Sequence, residues 1–132
     1  MDKARILIVE DEAVISLSLC EVLGLVGLDV VGVAANVTDA LCIAENTHPD
    51  LAIFDIHLQG QRDGIEGARL LRQRFNVPVV FMTANGDQDM RARASEIEPA
   101  AYLTKPVHPK RLIAAIENAL QASRAERANS PK

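Results

Sequence analysis

Residues Leu51 to Gly60 read LAIFDIHLQG. The first four, Leu51 to Phe54, are all apolar, the pattern of a short strand covered on both faces. Asp55 then ends the run with a carboxylate. Burying a carboxylate is costly unless it is paired, hydrogen-bonded or beside a metal. Asp55 therefore either ties down the loop that follows or serves chemistry at the end of a core strand.

Reading outward, short apolar runs alternate with longer amphipathic ones. RILIV (Arg5 to Val9), DVVGVAA (Asp29 to Ala35), VPVVFMT (Val77 to Thr83) and AYLT (Ala101 to Thr104) are the other strand candidates. The first helix is expected from Ala13 to Gly27, where glycines mark a stop. The second opens with Asn36 or Thr38 as N-cap and stops before Pro49. The third places Ile65, Ala68, Leu71 and Phe75 on one stripe. The fourth, polar and loosely packed, is expected over Asp87 to Ile97. The last starts near Pro109 and carries Leu112, Ile113, Ile116 and Leu120 on one face. Five β-α repeats with continuously apolar strands predict an α/β fold: a parallel sheet with helices on both faces and right-handed connections. One domain is expected over residues 1–122, followed by a polar, disordered tail over 123–132.

Composition limits the functional classes. With 132 residues, 48% hydrophobic and 24% charged, the chain suits one globular domain. A net charge of -4 argues against direct nucleic-acid binding. No apolar run is long enough for membrane insertion. The start, MDKARILIVEDE, meets acids too early for a secretion signal, so a cytoplasmic protein is expected. Cys20 and Cys42 are expected to be reduced and buried.

In an open parallel sheet, ligands bind at the carboxyl ends of the strands. Here the first strand runs into Glu10, Asp11 and Glu12, the third into Asp55, the fourth into Thr83 and Ala84, and the fifth into Lys105 and Pro106. Two carboxylates about 4 Å apart repel by about 4 kcal/mol at an effective dielectric near 20. Such a cluster holds a proton or a cation, and hard oxygen ligands with a small acidic pocket point to Mg²⁺. A cation, a lysine and a hydroxyl around a carboxylate would orient a phosphoryl group. The carboxylate of Asp55 would then be a nucleophile that forms an aspartyl-phosphate.

The ordered set ILIVEDE, PDLAIFDIHL, PVVFMTA and YLTKP resembles the receiver domain of two-component response regulators, over about Arg5 to Ala122. The resemblance implies a flavodoxin-like (βα)5 doubly wound fold with strand order 2-1-3-4-5. It implies that Asp55 accepts a phosphoryl group from a histidine kinase or histidine phosphotransfer protein. Asp11 would hold Mg²⁺ directly, Glu10 through water, and the backbone carbonyl of His57 would complete the protein ligands with Asp55. Thr83 would hydrogen-bond the phosphoryl group, with Ala84 leaving room for it. Tyr102 would change rotamer as Thr83 moves inward, and Lys105 would pair with Asp55 and later with the phosphoryl group. The Lys105–Pro106 bond would be cis. His57 and Asn85 stand where the family tunes phosphoryl lifetime.

Three features depart from the family pattern. IHLQGQRDG lacks the proline common after the acceptor strand, so a more flexible loop is expected there. The same segment is slightly longer before its Asp-Gly. EPAAYLTKP has Pro99 and Ala100 where a glycine-containing turn is frequent. With no output domain after the last helix, a stand-alone bacterial receiver is expected if the chain is complete, a signalling switch and not an enzyme; a fragment, or one receiver of a phosphorelay, is the alternative. Its output face would be Asp87–Ile97, Ala101–Thr104 and Lys110–Ala122, toward a downstream protein or a phosphorylation-dependent dimer. Two other readings compete: a receiver fold that binds partners without phosphorylation, and an aspartyl-phosphate phosphatase. A phosphatase of the haloacid-dehalogenase type would want a second Asp where His57 stands.

Overall fold

Alternation along the strands sets the layers of this protein. In strand β1 (Arg5–Val9), Leu7 and Val9 face one side of the sheet while Ile6 and Ile8 face the other. Every one of these four is fully buried, so both faces must be covered. The computed structural model describes residues 3–58, 64–84 and 88–129, with the side chains of 126–129 left aside. The elements follow as α1 (Ala13–Leu25), β2 (Asp29–Ala34), α2 (Val37–Thr47), β3 (Leu51–Phe54), α3 (Gly64–Phe75), β4 (Val79–Thr83), α4 (Gln88–Glu96), β5 (Ala101–Thr104) and α5 (Pro109–Asn129). The five strands form one parallel sheet in the order β2-β1-β3-β4-β5, the expected doubly wound topology.

On one face, Leu19 and Leu23 of α1 and Leu112, Ile116 and Leu120 of α5 pack on Ile6, Ile8, Ile53 and Val80. On the other, Ala40 and Ala44 of α2, Ile65, Ala68 and Leu71 of α3, and Ala94 of α4 pack on Leu7, Phe54 and Phe81. Sheet residues thus alternate between two separate cores. The predicted stripe of α3 is buried at Ile65, Ala68 and Leu71 and half-buried at Phe75.

Helix ends follow local chemistry. Asn36, one of the two candidate caps, accepts a hydrogen bond from the Asp39 N–H at 2.8 Å. α1 stops at Leu25, and Gly27 takes the left-handed conformation at φ 82° that closes its end. His48, Asn76 and Glu98 adopt positive φ after α2, α3 and α4, and a proline follows each within two residues. The backbone before β5 thus turns at Glu98 without glycine.

Three expectations are corrected. The last helix continues to Asn129, past the boundary expected at Ala122, because SRAERAN contains good helix formers and no breaker. Cys42 is exposed and Cys20 half-buried, and both are free thiols. In α2 the buried face runs through Ala40 and Ala44, which turns the intervening Cys42 outward. β2 and β4 are shorter than their apolar runs, since Ala35, Val77 and Pro78 lie outside the ladder.

Candidate functional site

The carboxyl edge of the sheet is built by the residues at and just beyond its strand ends. The Glu10 N–H donates to the Ala34 carbonyl at 2.8 Å, that of Asp55 to Val9 at 2.9 Å, and that of Lys105 to Thr83 at 2.8 Å. These backbone bonds extend the ladder past β1, β3 and β5 and fix where the three charged side chains begin. Thr83 is the last residue of β4 and is fully buried.

Glu10, Asp11 and Asp55 each offer a carboxylate oxygen, and these oxygens lie within 4.8 Å of one another. Glu10 is 4% exposed and Asp55 5%, so neither charge is solvated by bulk water. Lys105 answers both. Its Nζ lies 2.7 Å from Glu10 Oε1 and 3.3 Å from Asp55 Oδ2. The remaining oxygens are also satisfied: the Glu12 N–H donates to Glu10 Oε2 at 3.1 Å, and the His57 N–H donates to Asp55 Oδ1 at 3.0 Å. Burial works against the charged form of Lys105. The Glu10 hydrogen bond and the charges of Asp55 and Glu10 outweigh it and hold the ammonium above the ordinary lysine range.

The residue set fits a hard divalent cation. Three carboxylates converge at one edge, with one ammonium between two of them, so negative charge remains in excess. Oxygen ligands of this kind suit Mg²⁺.

Glu10, Asp11, Asp55 and Lys105 converge as their strand-end positions imply, yet Lys105 sits closer to Glu10 than to Asp55. No local signal announces a contact between residues 95 positions apart. The Lys105–Pro106 bond is cis, as the resemblance implied. Tyr102 is half-buried beside Phe81, with ring centroids 6.2 Å apart in an edge-to-face arrangement. The His57 side chain is exposed. Asn85, Asp87 and the loop residues 59–63, including the proline-free segment, lie outside the described residues.

A parallel five-stranded sheet with an acidic pocket and a lysine at its carboxyl edge places the molecule among doubly wound α/β domains that bind ligands at their strand ends. The chain matches the sequence profile of the response regulator receiver domain over residues 6–117, and it belongs to that family. It is 39% identical over 120 residues to the transcriptional regulatory protein PdtaR of Mycobacterium tuberculosis, covering 91% of this chain and 58% of that protein. It is 36% identical over 117 residues to the phyllosphere-induced regulator PhyR of Methylorubrum extorquens, covering 88% of this chain and 43% of that one. The chain thus spans about half the length of these relatives. Among solved structures, the signal receiver domain of a modulated diguanylate cyclase from Desulfovibrio desulfuricans G20 superposes with a TM-score of 0.90 at 37% identity, covering 95% of this chain and 99% of that one. A CheY-like receiver domain protein from Methanospirillum hungatei JF-1 gives 0.88 at 28% identity, covering 95% and 99%. Among the described residues, no helix is long and apolar enough to cross a membrane.

Proposed function

We propose that this receiver domain is a phosphorylation-controlled switch whose acceptor is Asp55. The observation that carries the reading is the buried cluster of Glu10, Asp11 and Asp55 bridged by Lys105. A carboxylate oxygen of Asp55 forms a bond to phosphorus as the bond to the donor breaks, and the leaving group departs with its electron pair. From a histidine kinase or phosphotransfer protein, the leaving group is an imidazole.

The residues that would hold Mg²⁺ are Asp11, Asp55, the backbone carbonyl of His57 and, through water, Glu10. When bound, the ion supplies positive charge to the phosphoryl oxygens. The chain's own groups do the rest. The His57 N–H holds Asp55 Oδ1 in place. Lys105 neutralises charge at Asp55 and afterwards pairs with the phosphoryl group. Thr83 donates its hydroxyl to a phosphoryl oxygen, and Tyr102 turns inward as Thr83 moves. The side chains of His57 and Asn85 set how readily water reaches the phosphorus. Output runs through the α4–β5–α5 face, toward a downstream protein or a second copy, and the protein acts in the cytoplasm.

The test is incubation with acetyl phosphate and Mg²⁺, following the intact mass of the parent chain and of Asp55→Asn. A gain of one phosphoryl group in the parent alone supports the reading. No gain in the parent, or an equal gain in both, overturns it.

A further inference from the structure

The guanidinium of Arg91 sits over the ring of Tyr102, with Cζ 4.7 Å from the ring centroid. That is inside the range of about 6 Å over which a cation and an aromatic face attract. Arg91 lies on α4 and is exposed, and among the described residues it makes no ion pair. The ring also packs against the core beside Phe81, which is fully buried and stands opposite Tyr102 in the β4–β5 register. The ring is therefore held between a rigid strand and a mostly polar helix. Within α4 Ala94 is buried and Met90 is half-buried against the core, Glu96 reaches Arg69 at 4.0 Å, and Ile97 follows just after the helix end. The Arg91–Tyr102 contact adds a link from the exposed side of this helix to β5.

We propose that Arg91 is a positioning residue that holds the Tyr102 ring in its present orientation against α4, with the hydroxyl buried, so that ring orientation and α4 stability are coupled. A guanidinium is planar, keeps its charge at every accessible pH and stacks on an aromatic face. Lysine keeps the charge but not the plane, and glutamine keeps a planar group without the charge. If the ring leaves this orientation, the cation–ring contact breaks, α4 loosens, and the guanidinium is released onto the α4–β5 surface. The link from that turn to phosphorylation rests on Asp55 being the acceptor. The resting contact does not.

Tyr102 is the sole tyrosine, so its ring signals in an NMR spectrum are unambiguous. The experiment measures amide hydrogen exchange of α4, and nuclear Overhauser contacts between the Arg91 side chain and the Tyr102 ring, in unphosphorylated protein. Arg91→Gln and Tyr102→Leu are each expected to speed α4 exchange about two- to fivefold, the range set by an exposed cation–π contact. Arg91→Lys should fall between Arg91→Gln and the parent. The double variant should exchange no faster than either single variant, because both remove one shared contact. Arginine, lysine and glutamine have similar helix propensities, so propensity alone does not move the rates of the two Arg91 variants. Absence of the Overhauser contacts in the parent, unchanged exchange in Arg91→Gln, or additive effects in the double variant would overturn the proposal. A second arm adds acetyl phosphate and Mg²⁺. Loss of the Arg91–Tyr102 contacts on phosphorylation supports the coupling, and their persistence in phosphorylated protein overturns it. If Asp55 takes no phosphoryl group, the resting measurements still judge Arg91, so the two readings fail separately.

Discussion

Lys105 and Glu10 form the tighter half of a three-membered charge cluster: Nζ is 2.7 Å from Glu10 Oε1, against 3.3 Å from Asp55 Oδ2. The lysine is thus anchored more closely by Glu10 than by Asp55, the proposed acceptor. Removing Asp55 as a charge leaves the Glu10–Lys105 pair intact, and an Asn side-chain oxygen can still accept from the His57 N–H. Removing the lysine leaves two buried carboxylates facing each other. Breaking a buried pair in this way costs about 3–5 kcal/mol, and the partial exposure of Lys105 places the cost toward or below the lower end. Urea unfolding in EDTA should therefore show Lys105→Met destabilised by about 2–3 kcal/mol. Asp55→Asn should be neutral or more stable, because it relieves carboxylate repulsion. Equal losses in the two variants would contradict this account of the cluster. Millimolar Mg²⁺ should restore part of the Lys105→Met loss, since a cation again offsets the two acids.

Two glycines give opposite expectations. A Cβ on Gly64 would sit on the carbonyl oxygen of Asp55 and 2.7 Å from the Ile56 Cα, both rigid backbone. Gly64 also donates its N–H to the Ile56 carbonyl at 2.9 Å, which pins α3 against the segment that follows β3. Gly64→Ala should destabilise by about 1–3 kcal/mol or more and slow phosphoryl uptake, since relief requires moving Asp55 itself. A Cβ on Gly24, inside α1, meets nothing within 4 Å. Gly24→Ala should stabilise by up to about 1 kcal/mol through helix propensity alone. Thermal melts of both variants check the pair.

Much of this architecture can be read from residue order. The apolar runs name the strands because a two-sided sheet leaves no polar face, and RILIV divides between two cores one residue at a time. The acids and the lysine could be placed together because parallel strands all point their carboxyl ends the same way. What escaped the reading depends on reach and on context. Which carboxylate Lys105 prefers is decided by ångström differences across three strands. Arg91 looks like any solvated charge on a polar helix until β5 brings Tyr102 beneath it. The polarity of SRAERAN hides the end of α5, because Ala, Arg and Glu favour helix whether or not they are buried.

The α2 cap offers a local test. Asn36 accepts from the Asp39 N–H at 2.8 Å and donates through Nδ2 to Asp39 Oδ2 at 3.1 Å. Asn36→Ala should cost about 1 kcal/mol, and Asn36→Ser should recover most of it, because the serine hydroxyl can still accept from the helix N-terminus. Chemical denaturation with an unchanged m-value would assign the loss to the folded state. A loss as large for Ser as for Ala would show that the side-chain cap contributes nothing.

The raised pKa of Lys105 sets a pH window. Its ammonium is more favoured in the folded protein than in the unfolded chain, where it titrates near 10.5. The stability it adds is therefore fully present below that value and is lost as pH rises through the higher folded value. At neutral pH the parent should exceed Lys105→Met in stability by a constant margin. Above the unfolded value the margin should shrink, because the parent then unfolds to a chain with a neutral lysine and must itself release a proton held by Glu10 and Asp55. Comparing the two proteins cancels the titration of the other lysines and of Tyr102, which both share. Urea midpoints measured in EDTA from neutral to strongly alkaline pH would trace the margin. A margin that grows with pH, or one that falls well below the lysine range, would mean that Lys105 is not held charged by its two carboxylates.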